Sequence, residues 1–184
     1  MSQPATDDPF RTLGLPYSFR LDAERLRSAH LRLLGSLHPD RVGSGLAGGE
    51  PDIARKAAVV NAAQRILADP LARGRALLAA LGGVATERLS PSFLAEAMEL
   101  REALDEAIGS DDREGIATLR ATAVQRREVE TEAIAKAFDL AAATSGADRA
   151  PLLSQAADAI ARLRYVTRLI ERCDGGTDSQ TDGA

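Results

Sequence analysis

The chain has 184 residues, a formal charge of −4 and 45% hydrophobic residues, enough apolar material for one or two modest cores. Aromatics make up only 3%, Trp is absent and Ala, Leu and Arg are abundant, so an all-α fold is expected in place of strands. A single cysteine, Cys173, excludes an internal disulfide, and with only His30 and His38 beside it the chain cannot build an ordinary Cys/His zinc site.

The charge is unevenly spread. Residues 1–80 carry 11 Lys and Arg against 8 Asp and Glu, a balance of +3, whereas residues 81–184 carry 12 against 19, a balance of −7. Two modules facing different partners are expected from that split. The basic excess is too small, and too poor in interleaved aromatics, for a nucleic-acid surface. The opening "MSQPATDDPF" has no basic or apolar leader, and the longest near-apolar run, "ALLAALGGVA", is too short for a bilayer, so a cytoplasmic protein with no membrane partner is expected.

Residues 1–7 are expected to form a disordered tail. In "DPFRTLGL", Asp7 or Asp8 caps a short helix with Pro9 in its first turn, and Gly14 and Pro16 end it. Asp22 then caps an amphipathic helix with Leu26, His30, Leu33 and Leu37 at helical spacing, running into Pro39; His30 reads as a packed histidine. After a glycine-rich loop, Ile53, Ala57, Val60, Ala63, Ile66 and Leu67 line one side of a second long helix, which Pro70 breaks or kinks. The segment "GGVATERLSP" marks a domain boundary, giving a module over 8–82 and a linker over 83–90. Three helical segments follow, at roughly 91–109, 111–144 and 148–173, and make a bundle over 91–173. In the third, Asp148 is the expected cap, and Leu153, Ala156, Ile160, Leu163 and Ile170 share a face. The polar, acidic stretch 174–184 is expected to be a disordered tail.

Two motifs need weighing. "GSGLAG" satisfies G-x-G-x-x-G but has no preceding strand and no acidic residue on a second strand, so it reads as a connector. His38, Pro39 and Asp40 stand among Gly35, Ser36, Arg41 and Gly43, a turn without nucleophile or pocket, so a catalytic pair is a poor reading. Taken alone, the tripeptide reads as helix-stop chemistry. Its context differs: it lies between an arginine-bearing amphipathic helix and a long helix ending in "LADP".

That arrangement resembles a J-domain, and "RSAHLRLLGSLHPDR" and "VNAAQRILADPLARGRALL" are both similar to stretches of that family. The resemblance implies an antiparallel helical hairpin with a short helix beside it. It also implies a loop at the tip, His38, Pro39 and Asp40, that engages a DnaK-type chaperone ATPase with help from Arg27, Arg32 and Arg41. Further along, "FLAEAMELREALDEA" and "RLRYVTRLIE" resemble the C-terminal bundle of HscB, the J-protein family of iron-sulfur cluster assembly, in its bacterial form.

The HscB resemblance implies a non-enzymatic co-chaperone without metal or cofactor. Its partners would be an HscA-like DnaK-type ATPase, which it stimulates, and an IscU-like iron-sulfur scaffold protein, which it delivers. Leu94, Met98 and Tyr165, with Glu99 and Glu102 beside them, map onto the scaffold-gripping residues of that family. Read without the family, Leu94 and Met98, four residues apart, fit a core stripe, and Glu99 and Glu102 fit a solvated face. A J-protein with another client and a plain helical interaction module are the competing readings.

Overall fold

The structure is a computed structural model that describes residues 8–37 and 49–178. Those residues are helical with short connections and contain no strand, and the chain divides into two units at Gly83/Val84. The described residues form an all-α fold, an antiparallel hairpin with shorter helices beside it in the first unit and a three-helix bundle in the second.

In the first unit, α1 (Pro9–Leu13) starts as its sequence requires: the Asp8 carboxylate accepts from the backbone N–H of Phe10 at 3.0 Å, and Pro9 occupies the first turn. Gly14 closes the helix in the left-handed region at φ 63°, a conformation that suits glycine. Helix α2 (Ala23–Ser36) is capped by Asp22, whose carboxylate accepts from Glu24 and Arg25. Helix α3 (Gly49–Ala68) returns beside it. His30 faces Asn61 at 2.8 Å, while Leu33 and Leu37 share a groove with Val59 and Val60, so sequence numbers rise along one helix as they fall along the other. The pair is antiparallel. Phe10, Leu13, Phe19, Leu26, Val60, Ala63 and Leu67 are buried in this unit.

Pro70 ends one helix and starts another. Helix α4 (Pro70–Ala80) begins there, with Asp69 as cap accepting from Ala72 at 2.6 Å. Its Arg73 clamps the unit: Nε donates to the Leu67 carbonyl at 2.7 Å, Nη1 to the Phe19 carbonyl at 2.8 Å, and the guanidinium stands 5.5 Å from the Phe19 ring centroid. At the end of α4, Gly82 takes φ +76°, and a Cβ on Gly83 would lie 2.3 Å from Leu78, which accounts for the paired glycines at the boundary.

The second unit holds α5 (Pro91–Gly109), α6 (Arg113–Ala143) and α7 (Arg149–Asp178). The partners Arg120–Asp174 and Arg162–Glu130 run in opposite senses along α6 and α7, which are therefore antiparallel. Phe93, Ala97, Leu104 and Ala107 of α5 form one stripe, which closes on Ile116 and Ala123 of α6 and on Val166, Leu169, Ile170 and Cys173 of α7. Leu153, Ala156, Ile160, Leu163 and Ile170 are all buried. Asp148 ends a short 3-10 turn (Gly146–Asp148) that leads directly into α7.

One expectation is corrected. The tail does not begin at 174, because α7 continues to Asp178. Cys173 is buried in the core, and the Asp174 carboxylate accepts from Nε of Arg120 at 2.6 Å, so the turn after the last core residue is tied to α6. Polar composition hid that anchor.

The Arg73 clamp gives a testable expectation. Arg73→Ala removes a charged donor from the Leu67, Phe19 and Ala68 carbonyls, and should cost the first unit about 2 kcal/mol. Amide exchange of α3 should then accelerate roughly 30-fold. An unchanged exchange rate would contradict the clamp.

Candidate docking surfaces

Helix α2 turns a basic face to solvent. Arg27 and Arg32 are exposed, flank the exposed Leu31, and have no ion-pair partner among the described residues. Such cations keep their charge available to an acidic partner. His38, Pro39, Asp40 and Arg41 lie outside the described residues, immediately after the end of α2 at Ser36 and its cap Leu37.

The second surface lies on α5. Ser90 caps this helix, its hydroxyl accepting from Phe93 N–H at 3.3 Å, and Pro91 fits the first turn. With Phe93 and Ala97 buried, the residues one position later point about 100° away. Leu94 and Met98 accordingly remain 47% and 54% exposed, so they are not core. Glu99 and Glu102 are exposed and have no ion-pair partner among the described residues. Glu106 is exposed four residues after Glu102, on the same acidic strip, a position that helical periodicity points to and that the sequence reading missed. Arg101 and Asp105 border the strip at 3.8 Å, and Asp105 also pairs with Arg172 of α7.

Tyr165 joins α5 to α7. It is half-buried, its hydroxyl donates to the Ala97 carbonyl at 2.5 Å, and its ring meets Phe93 edge to face at 5.9 Å. Its hydroxyl is therefore a strut under α5, and its ring lines a groove of about 450 Å³ together with Phe93, Leu100, Ala123, Val166 and Leu169. The sequence reading missed the charged residues supporting this region. Arg126 spans from Glu130, at 3.0 Å, to Glu96, at 3.2 Å, and lies 5.4 Å from the Phe93 ring centroid. Glu130 is an i,i+4 neighbour on α6, but Glu96 and Phe93 lie on α5, so no local motif announces the cluster.

Among the described residues no group of three or more His, Cys, Asp or Glu is placed to hold a metal, and no helix is long and apolar enough to cross a membrane.

Both tyrosines should titrate late. Burial is the main cause that pushes the Tyr165 phenol above its ordinary 10.0, while for Tyr17 the main cause is the hydrogen bond to the Asp8 carboxylate. A phenol that ionises later in the fold than in the unfolded chain favours the fold. That contribution is intact below pH 10 and is lost as pH rises through the folded value. The chain has 2 Tyr and no Trp, so ultraviolet titration reads both directly. Half-ionisation of either at or below pH 10, assigned with Tyr165→Phe, would contradict the geometry.

The family model for the HSCB C-terminal oligomerisation domain matches residues 89–174, the stretch from just before α5 to just after Cys173. The co-chaperone protein HscB homolog of Bordetella avium is 35% identical over 139 residues, covering 73% of this chain and 82% of the relative. That of Mannheimia succiniciproducens is 31% identical over 183 residues, covering 96% and 99%. Among solved structures, chaperone HscB from Vibrio cholerae superposes with a TM-score of 0.72 at 26% identity, covering 93% of this chain and 98% of that one. Human co-chaperone protein HscB superposes with a TM-score of 0.78 at 21% identity over 97% and 86%, a likeness of fold. Relatives at 35% and 31% identity match most of the chain, and the HscB fold spans both units: this chain, an N-terminal J-domain followed by a C-terminal three-helix bundle, belongs to the HscB co-chaperone family.

Proposed function

We propose that this protein is a co-chaperone of iron-sulfur cluster assembly that binds an IscU-like scaffold protein and delivers it to a dedicated, HscA-like DnaK-type chaperone. It stimulates the ATPase of that chaperone and hydrolyses nothing itself. The observation that carries the reading is the pair Leu94 and Met98, one turn apart and exposed on a helix whose other stripe is fully engaged in the bundle, with Glu99 and Glu102 beside them. Large apolar side chains held in water by a well-packed scaffold are characteristic of a docking surface.

The work divides between the units. Arg27 and Arg32 on α2, with Arg41 beyond it, attract and orient the acidic face of the chaperone, and His38, Pro39 and Asp40 act at the contact itself. Leu94, Met98 and the ring of Tyr165 form the apolar anchor for the scaffold, and Glu99 and Glu102 select a basic rim on it. The cluster is cargo of the scaffold. The family membership favours this client over an unrelated one.

Two outcomes test the chaperone half. His38→Gln should abolish stimulation of the DnaK-type ATPase while scaffold binding is unchanged; full stimulation by the variant would refute the role of the loop. Raising salt from 50 to 500 mM should slow chaperone association at least about tenfold, because exposed arginines act over a Debye length that shrinks with ionic strength. Salt-independent association would remove the arginines from the encounter.

A further inference from the structure

Glu130 on α6 is 3% exposed, the buried charged residue among the described residues. Its two oxygens are divided between helices: Oε1 accepts from Nε of Arg126 at 3.0 Å, and Oε2 from Nε of Arg162 on α7 at 2.7 Å. Arg162 by itself supplies a counter-charge and ties α6 to α7. Arg126 is therefore a second cation on a carboxylate already paired, and its remaining contacts are all on α5. Nη2 lies 3.2 Å from Glu96, and the guanidinium stands over Phe93.

A guanidinium is a rigid plane, so fixing Nε at Glu130 also fixes the direction of its outer edge. The apolar stripe of α5 is buried, but a groove of about 450 Å³ opens beside it along the contact with α6 and α7. Specific polar ties then decide how the helix is rotated. The ties fall on Phe93, Glu96 and Ala97, and Phe93 and Ala97 immediately precede Leu94 and Met98.

We infer that Glu130 is a positioning residue of the docking helix: by holding Arg126 against Glu96 and Phe93, it sets the rotation at which α5 presents Leu94 and Met98. The role rests on α5 being the scaffold-docking helix, as proposed above. Glu130 itself reaches no partner.

The test uses Glu130→Gln, Arg126→Gln and the double variant in the full chain, with calorimetric titration of the iron-sulfur scaffold protein and amide exchange measured helix by helix. Each single variant should weaken the scaffold about tenfold and speed exchange of α5 about tenfold while α7 keeps its protection, and the double should be no weaker than either single. Should Glu130→Gln not fold, Arg126→Gln, whose side chain is 38% exposed, carries both readouts with Glu96→Gln as its second member. Exchange that rises equally in all three helices, or affinity losses that add in the double, would overturn the inference in favour of a plain structural ion pair. Failure of the unmutated protein to bind the scaffold would instead sink the docking reading, and α5-selective exchange would still report the hold of Glu130 on that helix.

Discussion

Helix α5 carries two faces on one cylinder, one closed on the bundle and one left in water. One stripe, Phe93, Ala97, Leu104 and Ala107, closes the bundle, and the helical period fixes where everything else points. Leu94 and Met98 are thereby left about half in water, although burying the remainder of each would be worth roughly 1 kcal/mol. The bundle cannot recover that energy by turning α5 without exposing Phe93. A protein docked on this face, as proposed for the scaffold, would recover it.

The same helix sits over an open groove and leans on polar contacts at its edges. Tyr165 donates to the Ala97 carbonyl from α7, and Arg126 reaches Glu96 from α6, so both neighbouring helices contribute to its seat. These ties are directional where apolar packing is not. In the first unit Arg73 plays a comparable part, joining the start of α4 to the end of α3 and to Phe19 by donating to three carbonyls. Each unit is thus a small apolar core whose helix orientations are completed by an arginine.

Much of this was legible in the sequence. Asp8 and Asp22 each precede a helix and cap it with a side-chain oxygen, as expected of short polar residues, and Ser90 and Asp112, which the sequence reading did not single out, do the same. The break at Pro70 and the glycine boundary at 82–83 follow from rules that need no tertiary information. The end of α7 did not follow from such rules, because Asp174 is held by a residue 54 positions away. The exposure of Leu94 and Met98 was legible only through the family resemblance: spacing alone fits a core stripe one residue out of phase, and the position of Phe93 against Tyr165 decides between them. Arg126 and Glu130 gave no signal, since an i,i+4 pair of opposite charge usually lies on a solvated face.

The most direct measurement is a calorimetric titration of the full chain with the iron-sulfur scaffold protein, comparing the unmutated protein with the Leu94→Ala, Met98→Ala double variant. Tyr165 is left intact because its hydroxyl supports α5. Micromolar or tighter binding that weakens at least about 100-fold in a variant of unchanged helicity is the expected result. Equal affinity in both proteins, or loss of helicity in the variant, would contradict the assignment of this exposed pair as the anchor.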